Sequence, residues 1–165
     1  MRRNGIGSHQ SAKMMTCQWL TPPEIISDLG PFDLDPCAPI NRPWNTAKRH
    51  YTIQDDGLDQ IWSGFIWCNP PYGNKTGLWL EKMRWYNGIA LIFARTETKM
   101  FHDYVWSFAD SLFFFEGRLH FYTIDGKRSK LNAGAPSVLI GYGDEATRRL
   151  RRTKLRGKLI ELTEK

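Results

Sequence analysis

The chain has 165 residues, of which 41% are hydrophobic and 13% aromatic, and its formal net charge is +6. This length favours one domain. The large apolar side chains exclude a disordered or collagen-like chain, because such chains lack the residues that a core buries. The longest apolar runs, residues 89–94 and 112–115, are far shorter than the roughly 20 residues that a membrane span needs. The composition therefore predicts one folded domain with a basic surface and no membrane span.

The amino-terminal residues 1–16 are polar and contain Gly and Ser, and we expect them to be mobile. Their positive charge is not followed by an apolar stretch, so they do not resemble a secretory signal. Cys17, Cys37 and Cys68 are widely separated and contain no Cys-x-x-Cys pair, which argues against a disulfide framework and a zinc site. The histidines are likewise scattered, so no metal site is expected. This cysteine usage indicates the reducing cytosol.

The first predicted helix begins in the segment Thr21-Pro22-Pro23-Glu24, because a capping hydroxyl, early prolines and an acid in the first turn are typical of a helix start. Phe32-Asp33-Leu34 is predicted as a short buried strand, and a second strand is predicted over Tyr51–Ile53 after a loop over 39–50. Further strands are expected over Gly64–Cys68, Gly88–Ala94, Ser111–Phe115, Leu119–Thr123 and Ser137–Tyr142, and helices over Thr76–Tyr86 and Lys99–Ala109.

Alternation of strands and helices is typical of a right-handed α/β sheet. The strand near residues 88–94 is apolar throughout, as expected of a parallel strand that is covered on both faces. The last two strands are joined by the basic loop 123–133, and we expect them to form a late antiparallel hairpin. Residues 17–143 then form one domain. Residues 144–165, here called the C-terminal basic segment, are predicted to form a basic helix or tail, because residues 147–158 contain seven basic residues and no acid.

The most informative motif is Asn69-Pro70-Pro71-Tyr72, which directly follows a predicted strand. Ligands of open α/β sheets bind beyond the carboxyl ends of strands. The two prolines fix φ and remove backbone donors, so this segment presents carbonyl oxygens in a rigid arrangement. Asn69 adds an acceptor and Tyr72 a flat ring, a combination that suits an exocyclic amine on a planar base. Taken alone, the tetrapeptide is equally compatible with a rigid loop that contains a satisfied asparagine.

Together with Trp19-Leu20-Thr21-Pro22 and Asp35-Pro36-Cys37-Ala38, this motif resembles the phage-type DNA N6-adenine methyltransferases. The resemblance covers roughly residues 17–143. It implies a single-domain, Rossmann-like methyltransferase sheet, S-adenosyl-L-methionine as the cofactor, double-stranded DNA as the partner, and the cytosol of a bacterium or a phage-infected host. The Gly-rich turn that many methyltransferases carry after the first strand is missing, although Ala38 is small enough to let a ligand approach.

The resemblance assigns catalysis to Asn69, Pro70, Pro71 and Tyr72. It places the methionine end of the cofactor near Asp35, whose carboxylate would accept from the α-amino group. An acid after the second strand, Asp55 or Asp56, would receive the ribose hydroxyls or approach the adenine. Trp19 and Trp67 also fit a core position, and Asp35 also fits a helix cap. The cofactor-site residues that the resemblance implies are Trp19, Thr21, Pro22, Asp35, Pro36, Cys37, Ala38 and Asp56.

The expected mechanism is direct transfer to the N6 nitrogen, with Asn69 and the Pro70 carbonyl accepting its two hydrogens. Flipping the adenine out of a duplex costs a few kcal/mol, and stacking on Tyr72 would return about 1–3 kcal/mol. The remaining affinity must come from phosphate contacts, for which the C-terminal basic segment is also a candidate unless it is a solvated surface. Arg118 would contact DNA or pair with a neighbouring acid. The predicted nucleic-acid-binding residues are Arg118, Lys127, Arg128 and Lys130.

Two further functions fit the same residues. Asn-Pro-Pro-Tyr also serves methyltransferases that act on RNA bases or on protein glutamine. A catalytically inactive, basic nucleic-acid-binding module would show salt-sensitive DNA binding without affinity for the cofactor.

Overall fold

The structure is a computed structural model that describes residues 19–162. The predictions for residues 1–16 and Cys17 lie outside this range. The described range contains seven strands and four α-helices. The strands are β1 (Leu34–Asp35), β2 (Arg49–His50), β3 (Ile66–Cys68), β4 (Gly88–Phe93), β5 (Ser111–Phe115), β6 (Ser137–Tyr142) and β7 (Gly157–Glu161). The helices are α1 (Pro23–Leu29), α2 (Thr76–Met83), α3 (Lys99–Phe101), which continues as a π-helical turn over His102–Trp106, and α4 (Asp144–Arg152).

The strands form one sheet in the order β2-β1-β3-β4-β6-β5-β7. The first four strands of this order are parallel, β6 lies antiparallel between β4 and β5, and β7 is antiparallel to β5 at the far edge. Because β1, β3 and β4 are parallel, their last residues, Asp35, Cys68 and Phe93, lie at the same end of the sheet. This end is called the carboxyl edge below, and the Asn69-Pro70-Pro71-Tyr72 motif follows β3 there.

Helices cover both faces of the sheet, which confirms the predicted α/β fold. All six residues of β4 are buried. Ile89 on one face of β4 belongs to the same apolar cluster as Ile25 of α1 and Leu150 of α4. Ile92 on the other face belongs to the cluster that contains Leu80 of α2. The predicted parallel strand over 88–94 is therefore buried on both sides, as its composition indicates.

Two predictions near the amino-terminal half are wrong in detail. The residue before α1 is Pro22, and no side chain caps this helix, so the Thr21 hydroxyl is not the predicted cap. The second strand is β2 at Arg49–His50 rather than Tyr51–Ile53. Ile53 is 82% exposed and lies in a turn, because the chain leaves the sheet after Tyr51, whose N–H donates to the Asp35 carbonyl at 2.9 Å.

The predicted hairpin between Leu119–Thr123 and β6 is also wrong. Within 119–123 the pairing is limited to isolated bridges of Tyr122 with Leu20 and Arg128. The antiparallel neighbours of β6 are β4 and β5. The 119–123 segment bonds to its own loop instead, since the N–H groups of Ser129 and Ala133 donate to the carbonyls of Phe121 and Leu119.

The C-terminal basic segment contains the predicted helix, α4, but also a strand that the sequence did not indicate. β7 is short and mostly exposed, with Leu159 half-buried. It pairs with all five residues of β5. Because β7 has few apolar residues and several charges, its sequence shows no strand pattern. The strand forms because it pairs with β5, which is distant in sequence.

Candidate active site

Asn69 leaves β3 at the carboxyl edge with the two ends of its side-chain amide in different surroundings. Nδ2 donates a hydrogen bond to Oγ1 of Thr21 at 3.2 Å. Oδ1 is buried and has no hydrogen-bond partner among residues 19–162. A buried acceptor without a partner costs about 1–3 kcal/mol relative to a satisfied one. The geometry therefore leaves one buried acceptor oxygen whose hydrogen-bonding capacity is unused within the described range.

The backbone carbonyls of the motif differ in the same way. The Cys37 thiol donates to the Asn69 carbonyl at 3.3 Å, and the Thr76 hydroxyl at the start of α2 donates to the Pro71 carbonyl at 2.7 Å. None of the hydrogen bonds within 19–162 engages the carbonyl of Pro70. Pro70 itself is buried. Two acceptors, Asn69 Oδ1 and the Pro70 carbonyl, thus remain available in one rigid segment.

Tyr72 lies in an aromatic cluster at the end of β4. Its ring stacks on Phe93, with centroids 4.2 Å apart and planes inclined by 12°, and meets Phe121 edge-on at 6.4 Å. The side chain is half-buried. Its hydroxyl is buried without a partner in the described range, and this burial raises the pKa of the phenol. A flat aromatic surface therefore adjoins the acceptor segment.

A cleft of about 420 Å³ opens beside Tyr72. It is lined by the start of α2, by Ile92 and Phe93 of β4, and by the chain that follows β4 up to Met100. Of the predicted site residues its lining includes Tyr72 and none of those assigned to the cofactor. The cleft thus lies on the β4 side of the motif, whereas Asp35 lies on the β1 side.

Asp35 ends β1 as a buried carboxylate, 3% exposed. Its oxygens accept from the Cys37 N–H at 3.1 Å and from the Thr46 hydroxyl at 2.5 Å. Burial penalises the charged form and raises the pKa of this carboxyl to about 6, although the two hydrogen bonds and the nearby charge of Arg42 oppose the shift. A ligand cation near Asp35 would favour its ionised form, because the two hydrogen bonds and the charge of Arg42 offset the burial penalty only in part.

Arg42 brings a cation close to this acid. Its Nη1 donates to the Pro39 carbonyl at 3.0 Å, while Nε is buried and has no partner in the described range. Burial lowers the pKa of His50 to about 4, and the positive charge of Arg42 adds a smaller effect in the same direction. The region around Asp35 therefore holds one buried acid and one unsatisfied cationic donor.

The turn that carries Asp55 and Asp56 packs directly against the Asp35-Pro36-Cys37-Ala38 segment. A Cβ atom on Gly57 would lie 1.9 Å from the Pro36 carbonyl, so this approach requires glycine. The Asp55 carboxylate accepts from the N–H and hydroxyl of Thr52 at 2.7 and 2.9 Å. Asp56 is exposed, with φ of +49°. Asp55 is therefore engaged within its own turn, and Asp56 is the more accessible acid. Ala38 is buried, and its N–H donates to the Tyr51 carbonyl at 2.9 Å.

Parallel pairing of β1 and β3 brings together two cysteines that lie far apart in sequence. The sulfurs of Cys37 and Cys68 are 3.8 Å apart, and both thiols are free. Burial raises the pKa of the Cys37 thiol, which keeps its proton available for the bond to the Asn69 carbonyl. Cys37 thus contacts the motif rather than standing apart from it.

The Trp19-Leu20-Thr21-Pro22 segment connects Asn69 to the basic loop. The backbones of Leu20 and Tyr122 exchange two hydrogen bonds of 2.7 and 3.0 Å. Trp19 is half-buried against the apolar cluster that contains Tyr72, and its Nε1 is buried without a partner in the described range. Thr21 and Pro22 are buried. The structure therefore places Thr21 against Asn69, and Trp19 against the same apolar cluster as Tyr72.

The predicted DNA-contacting residues differ in their surroundings. Arg118 donates to the Ala133 carbonyl at 3.2 Å and so closes the loop. Lys127 forms an ion pair with Asp125 at 2.9 Å. Arg128 and Lys130 are exposed, and no ion pair engages them within the described range. Within the described range, Arg128 and Lys130 therefore have no ion-pair partner, whereas Lys127 is paired with Asp125 and Arg118 is hydrogen-bonded to Ala133.

Part of the positive charge of the C-terminal basic segment is offset by ion pairs, and two of the three acids involved lie in the segment itself. Four of its basic residues form ion pairs: Arg148 and Arg149 with Glu145, Arg151 with Glu161, and Arg156 with Glu116. α4 also begins at the edge opposite the motif, because Tyr142 of β6 lies beside Gly88, the first residue of β4. These four residues are engaged within or between α4, β7 and the end of β5, which favours the solvated-surface alternative for them; DNA contact by the segment stays a prediction.

Sequence reasoning missed several residues of the site. Thr46 and Arg42 lie in the 39–50 loop, which has no periodic pattern that would indicate contact with Asp35. Phe93 could have been found, because it ends a predicted strand at the edge where ligands bind. Phe121 lies in the predicted but absent strand.

A comparison with protein families adds independent information. The family model described as DNA N-6-adenine-methyltransferase (Dam) matches residues 8–148. The match places the chain among the DNA methyltransferases. The chain belongs to the Dam family, and its activity is methylation of adenine N6 in DNA. Comparisons with curated proteins and with solved structures gave no significant match.

Two further observations concern residues 19–162. No three His, Cys, Asp or Glu side chains in this range converge so as to hold a metal ion. None of its helices is long and apolar enough to cross a membrane.

Proposed function

We propose that the enzyme transfers a methyl group from S-adenosyl-L-methionine to N6 of an adenine flipped out of double-stranded DNA, in the cytoplasm of a bacterium or a phage-infected host. The observation that carries this proposal is the pair of acceptors in one rigid segment, Asn69 Oδ1 and the Pro70 carbonyl. The order of parallel strands with one reversed strand between β4 and β5 supports a Rossmann-like methyltransferase sheet.

The two acceptors act on the nucleophile. The N6 lone pair of adenine is delocalised into the ring, so the amine is a poor nucleophile. Asn69 Oδ1 and the Pro70 carbonyl each accept a hydrogen bond from one of its two N–H groups. These bonds favour a tetrahedral nitrogen and make the lone pair available. Each hydrogen bond contributes about 0.5–1.5 kcal/mol, and the buried Oδ1 also loses its unsatisfied state. Since Oδ1 is shielded from solvent, entry of the base requires a local side-chain movement.

The residues around Asp35 fit the amino-acid end of S-adenosyl-L-methionine, which carries an ammonium and a carboxylate group. An ionised carboxylate has about four acceptor sites, and Asp35 uses two of them within the chain. Arg42 retains an unpartnered buried Nε. We assign the ammonium group to Asp35 and the carboxylate group to Arg42. When bound, S-adenosyl-L-methionine supplies a sulfonium methyl group as the electrophile.

We assign roles to the remaining cofactor residues from the way their segments pack. Asp56 is the acid that we assign to the ribose hydroxyls, because Asp55 is engaged by Thr52. Pro36, Cys37 and Ala38 form the backbone wall beside it, against which Gly57 packs. Trp19 and Pro22 complete the site from the amino-terminal side.

Tyr72 holds the flipped base by stacking. Its ring already stacks on Phe93, which fixes the plane on which a base can lie. Stacking contributes about 1–3 kcal/mol per base, which offsets much of the cost of flipping. Arg128 and Lys130 supply phosphate contacts, and Arg118 and Lys127 hold the loop that carries them. Base contacts and phosphate contacts together then bind the DNA.

The test is transfer of labelled methyl groups from S-adenosyl-L-methionine to unmethylated duplex DNA, RNA and protein in parallel. We expect duplex DNA to be labelled and its digest to contain N6-methyladenine. Asn69→Ala should slow transfer by about 10²–10³-fold, as loss of one preorganised transition-state partner does elsewhere, with unchanged affinity for S-adenosylhomocysteine by calorimetry. Preferred labelling of RNA or of glutamine would contradict the proposed substrate. DNA binding without S-adenosylhomocysteine binding would identify an inactive binding module.

A further inference from the structure

We propose that Thr21 is a positioning residue whose hydroxyl holds the Asn69 side chain so that Oδ1 faces the target amine. This inference rests on the proposed function of Asn69. It differs from the cofactor role that the family resemblance gives to Thr21.

The first support is the contact itself. Thr21 is 3% exposed, and its Oγ1 accepts from Asn69 Nδ2 at 3.2 Å. An asparagine amide rotates freely about its last bond unless hydrogen bonds hold it. The bond to Thr21 fixes the amide plane and occupies the NH₂ end, while Oδ1 at the other end remains buried without a partner in the described range. An NH₂ group in the place of Oδ1 would oppose the N–H donors of an amine.

The second support is that the Thr21 hydroxyl does not cap helix α1. α1 starts at Pro23, its N-terminal cap position is Pro22, and no side chain caps it. A threonine at the start of a helix usually serves as the cap. Here the hydroxyl is directed to Asn69, on a different element of the fold.

The third support is the rigidity of the backbone that carries Thr21. Pro22 and Pro23 follow it, and a residue before proline is restricted to extended conformations. Leu20, which precedes it, exchanges two backbone hydrogen bonds with Tyr122. Because the backbone on both sides of Thr21 is held, its side chain can keep Asn69 in a fixed place. Alignment of a nucleophile requires such a fixed partner.

Hydrogen bonds in series also strengthen one another in a buried site. When Oδ1 accepts the amine hydrogen, the bond from Nδ2 to Thr21 polarises the amide in the same direction. The Cys37 thiol holds the backbone carbonyl of Asn69 at 3.3 Å. Thr21 and Cys37 thus hold the two ends of the residue that contacts the substrate.

The experiment compares Thr21→Val, which removes the hydroxyl at constant shape, with Thr21→Ser, which retains it. Loss of the acceptor leaves a buried N–H unpaired, and we expect kcat to fall by about 5- to 150-fold in Thr21→Val. The KM for DNA and the affinity for S-adenosylhomocysteine should change by less than about twofold, since neither ligand loses a contact. Thr21→Ser should restore most of the rate.

A double-mutant cycle with Asn69→Ala separates positioning from general damage. If Thr21 acts through Asn69, Thr21→Val costs little further rate in the Asn69→Ala background. Thr21→Ala gives the same comparison if the valine variant does not fold, which thermal unfolding checks.

An unchanged kcat in Thr21→Val, an additive cycle, or weakened S-adenosylhomocysteine binding with unchanged kcat would each overturn the inference. The last result would return Thr21 to the cofactor site. A wild-type enzyme that leaves DNA unmethylated would instead refute the proposed function.

Discussion

The carboxyl edge and the C-terminal basic segment differ in whether their polar groups have partners. At the carboxyl edge, Asn69 Oδ1, Tyr72 Oη, Trp19 Nε1 and Arg42 Nε are buried without partners among residues 19–162. In the C-terminal basic segment, ion pairs with Glu116, Glu145 and Glu161 engage four arginines. Both regions contain a cleft, of about 420 Å³ beside Tyr72 and about 380 Å³ between Asp110 and Arg151.

The difference separates ligand binding from fold stability. Each unpaired buried polar atom costs about 1–3 kcal/mol in the free protein, a cost that a hydrogen-bonding ligand removes. Exposed ion pairs contribute little individually. Those of Arg151 and Arg156 join α4 and the end of β5 to the region of β7, which contains few apolar residues. Changes at the carboxyl edge should therefore affect methyl transfer, and changes in the C-terminal basic segment should affect folding.

The largest effect that sharpens this contrast is expected for Tyr72→Ala. Loss of the stacking surface should lower kcat/KM for DNA methylation by about 5- to 150-fold, the equivalent of about 1–3 kcal/mol of base stacking. Affinity for S-adenosylhomocysteine should stay within twofold. Methyl-transfer kinetics and calorimetry measure the two quantities.

Tyr72→Phe is the matched control for this variant. It keeps the ring that stacks on Phe93 and removes a buried hydroxyl that has no partner in the described range. Its activity should equal that of the wild type. Equal losses in both variants would mean that the hydroxyl, not the ring, acts on the substrate.

A smaller effect is expected from the titration of Asp35. Its pKa of about 6 lies above the ordinary 3.8 because of burial, so the carboxyl is neutral below pH 6 and ionised above it. Affinity for S-adenosylhomocysteine, whose ammonium we assign to Asp35, should rise with pH by up to about tenfold per unit below pH 6 and then level off. Calorimetry between pH 5 and 8 measures this dependence.

Asp35→Asn should bind S-adenosylhomocysteine weakly and without this pH dependence.

The stability of the free protein should change with pH in the opposite direction, because the native state binds more protons than the unfolded state between pH 3.8 and about 6. The Asp35 contribution to the free energy of unfolding therefore decreases as pH rises through that window. A wild-type affinity that does not vary between pH 5 and 7 would place the ammonium group elsewhere.

The exposed cations of the basic loop should produce a moderate change in salt dependence. Each phosphate contact contributes about 0.9 to the slope of log K against log salt. Arg128→Ala with Lys130→Ala should lower the slope by about twice that amount. Lys127→Ala is the matched control and should lower it less, because Asp125 already pairs with Lys127 at 2.9 Å. Equal slopes for all variants would exclude this loop from the DNA interface.

Local patterns predicted the elements and the motif, but not the contacts between distant segments. β4 is visible as an apolar run, and Asn69 follows a strand whose end the two prolines mark. The bond between Thr21 and Asn69 joins residues 48 positions apart, and the Cys37–Cys68 contact depends on the pairing of β1 with β3. Such contacts arise from sheet topology, which a pattern within one segment does not contain.

The same limit applies to the C-terminal basic segment. Its net charge is read from consecutive residues, whereas the acid that pairs with Arg156, Glu116, follows β5 and lies 40 positions away. The buried polar atoms without partners at the carboxyl edge could not be predicted from the sequence either. A single residue such as Arg42 gives no sequence signal of whether its donors are hydrogen-bonded.

Arg149→Met should have the smallest effect on activity and still change the protein measurably. Arg149 Nη1 donates to the carbonyls of Leu29 and Pro31 at 2.9 and 2.7 Å, and its guanidinium lies 4.1 Å from the centroid of the Phe65 ring. Methionine keeps the apolar contact with Phe65 but loses the charged hydrogen bonds, so the free energy of unfolding should fall by about 1.5–3 kcal/mol. Denaturant titration measures this loss. DNA affinity and its salt slope should equal those of the wild type, because a cation already engaged inside the fold releases no counterion from DNA. A reduced salt slope with unchanged stability would show that the C-terminal basic segment contacts phosphate, and would remove the distinction between the two regions.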